Sequence, residues 1–80
     1  MQVEVRLPQL SMGMSDAEIL QWYVAVGDRV EAEQDIVEIE AEKATVTVPA
    51  PQAGKISSID AQPGDVIEVR DLLCVIEADQ

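Results

Sequence analysis

Histidine and phenylalanine are absent from this chain of 80 residues, and cysteine occurs only once. The single cysteine, Cys74, excludes an intrachain disulfide and fits a reducing compartment. Without histidine, the chain has too few nitrogen and sulfur ligands for a zinc site. No apolar run is long enough to span a membrane, and no signal-peptide pattern opens the chain, so Met1 is interpreted as the true start. We therefore expect neither a metal site nor a membrane-bound protein.

Basic residues are also scarce, with five lysines and arginines against sixteen acidic residues and a net charge of −11. A surface of this kind repels phosphates, which argues against nucleic-acid binding. It suits a protein that meets a basic patch on a partner. An independent enzyme is disfavoured as well, because the sequence offers no histidine, no nucleophile beside a base and no glycine-rich phosphate loop.

Apolar residues make up 48% of the chain, and valine and isoleucine supply nearly half of them, 18 of 38. Residues of this type favour strands, and the apolar content argues against disorder despite the charge. Residues 17–43 align with residues 54–80 at a spacing of 37. The matched pairs include Ile19 with Ile56, Gly27 with Gly64, Asp28 with Asp65 and Ile39 with Ile76. This internal repeat predicts two similar halves packed face to face around a pseudo-two-fold axis.

Eight short strands are predicted, four in each half, because β-favouring runs alternate with turn signals. In the first half they cover residues 3–7, 19–23, 29–30 and 36–41, and in the second half residues 45–48, 55–59, 66–67 and 73–77. No stretch shows sustained helical periodicity. The sequence therefore predicts one all-β domain over residues 1–80, a flattened barrel or sandwich of two four-stranded antiparallel sheets with pseudo-two-fold symmetry.

Side-chain parity predicts the register of one hairpin. If Glu42 and Lys43 form a two-residue turn, Ala41 faces Ala44, and apolar side chains share one face of the hairpin. The residues expected to be buried are Val37, Ile39, Val46, Val48, Cys74 and Ile76, and those expected to be exposed are Glu38, Glu40, Thr45 and Thr47. Lys43 is thus predicted at the hairpin tip, projecting into water, with the chain termini at the opposite end of the domain.

Four stretches together resemble a known family over nearly the whole chain: LPQLSMGMSDAEI, GDRVEAEQDIVEIEAEKATVTVPAPQAGKI, PGDVI and LLCVIE. They resemble the opening strand and loop, the block around a modified lysine, and the closing turn and strand of the biotinyl/lipoyl attachment domains. Within that family the chain is most similar to the lipoyl domain of the dihydrolipoyl acyltransferase component of 2-oxo acid dehydrogenase complexes. It departs from the family at Glu42, where aspartate is usual, at Ala41, where threonine or serine is usual, and in the loop at residues 15–17.

The resemblance implies that Lys43 carries (R)-lipoate through an amide bond, attached by a lipoate ligase or lipoyl transferase. A thiamine-dependent decarboxylase of a 2-oxo acid or acetoin dehydrogenase complex would reductively acylate this arm. The arm would deliver the acyl group to coenzyme A at the acyltransferase catalytic domain, and dihydrolipoyl dehydrogenase would reoxidise it. The family also implies a non-catalytic, monomeric carrier domain in the N-terminal part of a longer acyltransferase chain. Its location would be the bacterial cytoplasm or, in a eukaryote, the mitochondrial matrix.

Several residues near Lys43 are candidates for recognition by the ligase or a partner, namely Glu40, Glu42, Ala44, Met12 and Met14. The two carboxylates have a plainer interpretation as solvated residues at a turn, and a weaker one as a metal pair. The two methionines have a plainer interpretation as fillers of gaps beneath the loop. Lys55, the only other lysine, is interpreted as a solvated strand residue.

Three other functions remain open. A biotin carrier of a carboxylase shares the fold, but that branch usually flanks its lysine with methionine, whereas the flanks here are Glu42 and Ala44. An unmodified adaptor domain usually lacks the lysine and lies within a long helical chain. A glycine-cleavage carrier is usually longer, with helical additions. Intact mass separates the unmodified, lipoylated and biotinylated forms.

Overall fold

The computed structural model describes residues 1–79, which form eight strands. The strands are β1 (Gln2–Arg6), β2 (Asp16–Trp22), β3 (Arg29–Val30), β4 (Asp35–Ala41), β5 (Ala44–Pro49), β6 (Gly54–Ile59), β7 (Val66–Glu68) and β8 (Leu72–Ala78). All eight predicted strands are present. The largest difference is at β2, which begins at Asp16 because its first residues pair with β7. Within residues 1–79 there is no helix long and apolar enough to cross a membrane.

The strands form two four-stranded antiparallel sheets, ordered β1-β8-β6-β3 and β5-β4-β2-β7, which confirms the predicted all-β fold. The two orders become identical when each strand is replaced by its counterpart in the other half: β5 by β1, β4 by β8, β2 by β6 and β7 by β3. Neither sheet closes on itself. The strands that carry the chain ends, β1 and β8, therefore hold the position in one sheet that the β4–β5 hairpin holds in the other.

The Gly-Asp turns repeat as closely as the strands. Gly27 and Gly64 have φ values of 95° and 93°, a left-handed conformation that glycine adopts without steric cost. In each turn the next residue, Asp28 or Asp65, accepts a hydrogen bond from a backbone N–H through its carboxylate at 2.9 Å. Because the backbone conformation and the cap are the same, the two turns are equivalent structural elements.

The core lies between the two sheets, and within residues 1–79 it contains no buried polar or charged side chain. Ile39 in β4 and Ile76 in β8 are both fully buried. Ile39 pairs with Ile19 on the neighbouring strand, and Ile76 pairs with Ile56. Since Ile19 and Ile56 are themselves matched in the repeat, the two halves place equivalent residues in equivalent positions, and the predicted pseudo-symmetry is confirmed.

The predicted hairpin register is also confirmed, and Ala41 pairs with Ala44. Buried as predicted are Val37, Ile39, Val48, Cys74 and Ile76, and exposed as predicted are Glu40 and Thr45. Three predictions are wrong, because Val46, Glu38 and Thr47 are half-buried. Val46 lies on the edge strand β5, where neighbouring residues cover it on one side only. Glu38 accepts a hydrogen bond from Gln21 at 2.9 Å, and Thr47 lies directly opposite Glu38.

Candidate functional site

Lys43 lies in the two-residue turn that joins β4 to β5. Glu42 and Lys43 have φ values of 52° and 66°, and positive φ at both central residues defines a type I′ turn, whose twist matches that of the flanking strands. Such turns favour asparagine and glycine, and the left-handed conformation costs other residues about 1–3 kcal/mol each. Six residue pairs between β4 and β5 hold the lysine at the tip despite that cost.

The Lys43 side chain is exposed. Arg6 and Arg29 form ion pairs with acidic side chains, whereas Lys43 has no carboxylate oxygen within 4.0 Å among residues 1–79. No side chain in that part of the chain accepts a hydrogen bond from it. The amine is therefore accessible to another protein, and no side chain of residues 1–79 is in hydrogen-bond contact with it as a base.

A depression of about 350 Å³ lies beside the hairpin tip, and we call it the acidic depression. It is lined by Asp16, Ala17, Glu18, Glu40, Ala41, Glu42, Lys43 and Val66. Glu18 lies directly opposite Glu40, and like charges in that position destabilise a sheet. The equivalent pair of the other half is Lys55 with Glu77, whose charges attract. Negative charge is thus concentrated in the half of the domain where Lys43 lies.

A surface loop between β1 and β2, residues 7–15, also packs against the tip. Ser11 Oγ donates a hydrogen bond to Glu42 Oε1. Gly13 lies close to the same carboxylate, since a Cβ at this position would be 2.8 Å from Glu42 Oε2. Glu42 therefore connects the loop to the tip. The contacts of Ser11 and Gly13 with Glu42 could not be predicted from the sequence, since residues so far apart along the chain carry no local signal of their contact.

The two methionines of this loop take opposite positions. Met14 is 3% exposed and belongs to the core, whereas Met12 is 99% exposed. Gln9 Nε2 donates hydrogen bonds to the backbone carbonyls of both residues at 3.3 Å, which fixes the backbone between them. Met12 is thus the methionine that a partner can touch. Met14 fills the space beneath the loop, so its predicted role in recognition can act only through the shape of the loop.

The other predicted residues lie where the hairpin register places them. Glu40 and Ala44 are exposed beside the tip, and Lys55 is exposed on β6 in the opposite sheet. Cys74 is buried in β8. Burial and, to a smaller degree, the charge of Asp60 raise the pKa of the Cys74 thiol to about 12, so thiolate chemistry is unavailable near neutral pH.

The chemistry that the hairpin tip offers is that of a primary amine. Residues 1–79 contain no group of three or more histidine, cysteine or carboxylate side chains that could hold a metal. The hairpin tip presents the exposed primary amine of Lys43, on a turn fixed by strand pairing, with open space around it. An amine in this position can accept an activated acyl group and form an amide.

A sequence model of the family described as "Biotin-requiring enzyme" matches residues 3–76. The chain is 40% identical to the dihydrolipoyllysine-residue succinyltransferase component of the 2-oxoglutarate dehydrogenase complex of Bartonella vinsonii subsp. berkhoffii, over 98% of the chain and 19% of that protein. It is 36% identical to the lipoamide acyltransferase component of the branched-chain alpha-keto acid dehydrogenase complex of Pseudomonas aeruginosa, over 94% of the chain and 18% of that protein. It is 32% identical to the dihydrolipoyllysine-residue acetyltransferase component of the pyruvate dehydrogenase complex of Staphylococcus aureus, over 98% of the chain and 18% of that protein. The chain thus spans about a fifth of the length of these relatives.

Among the solved structures similar to the domain are two carboxylases. One is a single-chain, multi-domain long-chain acyl-CoA carboxylase, with a TM-score of 0.83 and 20% identity over 99% of this chain and 7% of that one. The other is the urea carboxylase of Kluyveromyces lactis, with a TM-score of 0.82 and 30% identity over 95% of this chain and 6% of that one. The first likeness, at its low identity, shows a shared fold only.

Proposed function

The chain belongs to the biotin/lipoyl attachment family, and on this premise we propose that it is a swinging-arm carrier domain with a lipoyl group on Lys43. The observation that carries the proposal is the position of this lysine, an exposed amine on a two-residue turn held by a six-pair ladder. The fixed tip restricts the position of the attachment point, while the flexible arm can still extend to separate active sites. Tethering of this kind replaces free diffusion with a high effective concentration at each active site.

The attachment is an amide bond to Nζ of Lys43. A ligase that consumes ATP supplies lipoate with an activated carboxyl group. Nζ bonds to the acyl carbon, the activating group leaves with the electron pair of its bond, and the amine loses a proton. Because the hairpin provides no base, activation and proton removal fall to the ligase. This domain contributes the position and direction of the amine, which the turn at Glu42 and Lys43 sets.

Held on Nζ of Lys43, the lipoyl group would supply a redox-active disulfide that can take up and release acyl groups. We assign the loading step to a thiamine-dependent decarboxylase, the transfer to coenzyme A to an acyltransferase catalytic domain, and reoxidation to dihydrolipoyl dehydrogenase. Relatives that are components of three 2-oxo acid dehydrogenase complexes support this assignment. The domain itself is non-catalytic in this scheme. It forms the N-terminal part of a longer acyltransferase chain in the bacterial cytoplasm or the mitochondrial matrix.

The residues beside Lys43 favour lipoate over biotin. Glu42 precedes the lysine and Ala44 follows it, whereas the biotin branch of the family usually has methionine at both positions. Biotin remains the second candidate, because the urea carboxylase structure is 30% identical to this chain. A lipoyl group and a biotinyl group would add different masses to Lys43, so the two candidate functions can be distinguished by mass.

The experiment that tests the proposed function is reductive acylation of the lipoylated domain. The domain is incubated with a thiamine-dependent decarboxylase and its 2-oxo acid, using pyruvate, 2-oxoglutarate and branched-chain 2-oxo acids in separate reactions with their own enzymes. We expect one of these pairs to add its acyl mass to the lipoylated domain.

The matched controls are Lys43→Arg, which keeps the charge but removes the attachable amine, and Lys55→Arg, which changes the other lysine. Lys43→Arg should gain no acyl group, and Lys55→Arg should behave like the parent. If the lipoylated domain is acylated by none of the three enzymes, the assignment to 2-oxo acid dehydrogenase complexes is wrong.

A further inference from the structure

Two depressions flank the hairpin tip, and their chemistry differs. The acidic depression on one side includes the Lys43 side chain in its lining. A second depression, of about 240 Å³, lies between the hairpin and the loop of residues 7–15, and we call it the apolar groove. It is lined by Leu10, Ser11, Met14, Ala41, Glu42, Ala44 and Val46. Lys43 does not belong to this lining, although Glu42 and Ala44 on either side of it do.

The apolar groove is a formed feature rather than a gap in a mobile surface. Its floor includes Met14, which is almost fully buried, and Val46, which is half-buried. Leu10 N lies 3.4 Å from Met14 Sδ, and the hydrogen bond from Ser11 to Glu42 joins the loop to the tip. Leu10 is nevertheless 50% exposed. The structure thus leaves apolar side chains in contact with water directly beside the attachment lysine.

Attachment of lipoate changes which of the two depressions suits the Lys43 side chain. The unmodified ammonium lines the acidic depression together with Glu18 and Glu40, and opposite charges attract there even without a direct ion pair. Amide formation removes that charge and adds a hydrocarbon chain with an apolar five-membered disulfide ring. An uncharged, apolar group gains nothing from the carboxylates and gains free energy by leaving water for apolar surroundings.

We propose that the apolar groove is a resting site for the lipoyl arm of this same chain, in which Leu10, Met14, Ala44 and Val46 take up the apolar part of the arm between visits to partner enzymes. The inference rests on the proposed lipoylation of Lys43. The site is within reach, because consecutive Cα atoms lie about 3.8 Å apart and both chain neighbours of Lys43 line the groove. The modification therefore moves the side chain from the acidic depression to the apolar groove.

The arm in the groove must remain in exchange with free positions, since a carrier has to release it to each partner. The small volume of the groove, about 240 Å³, and the 50% exposure of Leu10 in its wall favour such a weak contact. While it lasts, the contact covers the disulfide ring and lowers its exposure to reagents in solution. The resting site thus predicts slower chemical reduction of the attached disulfide than that of free lipoamide.

The test is nuclear magnetic resonance of the isotope-labelled domain before and after lipoylation, with attachment confirmed first by mass. We expect nuclear Overhauser effects between protons of the arm and the methyl groups of Leu10 and Val46. Backbone amide shifts should extend to Met14, which is distant in sequence from the modified lysine. The rate of disulfide reduction by a water-soluble phosphine is the second readout.

The matched variants are Leu10→Ala, which removes one wall of the apolar groove, and Val66→Ala, which removes an exposed valine of the acidic depression. Leu10→Ala should weaken the Overhauser effects and speed the reduction, while Val66→Ala should leave both unchanged. Effects that appear at Val66 instead, or shifts confined to Glu42 and Ala44, would overturn the resting site. A domain that gains no lipoyl mass at all would contradict the proposed function instead, so the two failures are distinguishable.

Discussion

Truncation of Ile39 tests the register on which the position of Lys43 depends. Ile39 is 0% exposed at the centre of β4, paired on one side with Ile19 and on the other with Val46. Replacing a fully buried isoleucine by alanine removes apolar contacts and leaves a cavity, which costs about 2–5 kcal/mol. A domain of this size has a total stability of roughly 4–12 kcal/mol, from about 0.05–0.15 kcal/mol per residue. Ile39→Ala should therefore remove a large fraction of the stability.

Urea unfolding followed by fluorescence measures the loss, since Trp22 is the only tryptophan. Its indole N–H donates a hydrogen bond to the Ala61 carbonyl at 2.8 Å, so its emission reports the folded state. Ile76→Ala is the matched variant, because the pseudo-two-fold axis gives it the same burial, and it should cost a similar amount. Thr45→Ala on the exposed face should change little. A loss well under about 1 kcal/mol for Ile39→Ala would refute the register.

Three further outcomes are expected. Cys74 should react with thiol reagents only after unfolding, because burial raises its pKa to about 12; reaction of the native domain at neutral pH, followed by mass, would contradict its placement. The hydrogen bond from Arg29, and the attraction of its charge, lower the pKa of Asp79. The stabilisation from this pair is present above the ordinary value of 3.8 and is lost as pH falls through the lowered one. Asp79→Asn should therefore lower the urea midpoint of unfolding at neutral pH, and the midpoints of the variant and the parent should converge in acid. A difference between the two midpoints that stays constant from neutral to acid pH would be the contrary result. Docking of the decarboxylase should weaken when salt is added and when Glu40→Gln and Glu42→Gln are combined. In both cases the main cause should be a slower association rate. If neither change alters the acylation rate, loop shape rather than charge governs recognition.

The sequence predicts the strands and the hairpin register because both rest on periodic signals. Alternation of apolar and polar residues determines which face of a strand is buried, and a shift by one residue would expose Ile39. The repeat then supplies an independent check, since Ile39 and Ile76 must take equivalent places. Both signals are local or strictly periodic, so they can be read without knowledge of contacts between distant parts of the chain.

The loop beside the tip could not be predicted in the same way. Met12 and Met14 look alike in the sequence, yet one is exposed and the other buried, because the loop has no periodicity that assigns its residues to a face. The hydrogen bond from Ser11 to Glu42 joins residues on different elements. The positive φ of Glu42 also has no local signal, since the usual asparagine or glycine is absent. Strand pairing imposes that conformation on the turn.

The position of the lysine matters as much as its identity in this account. Moving it by one residue, to position 42 or 44, would turn its side chain relative to the hairpin. Variants that combine Lys43→Ala with Glu42→Lys or with Ala44→Lys should fold normally, as judged by urea unfolding, yet be lipoylated poorly. Efficient modification of either variant would show that the ligase does not recognise the fixed direction of the tip.

Mass spectrometry tests most directly the claim that Lys43 carries a lipoyl group. The protein is incubated with lipoate ligase, ATP and equal concentrations of lipoate and biotin, and a parallel reaction contains a biotin ligase. Intact mass then shows which group was attached, and peptide mapping shows on which residue. We expect one lipoyl increment, located on Lys43, with none on Lys55 and none in Lys43→Arg. A lipoyl increment that persists in Lys43→Arg, or a biotin increment on the parent protein in place of the lipoyl one, would contradict that claim.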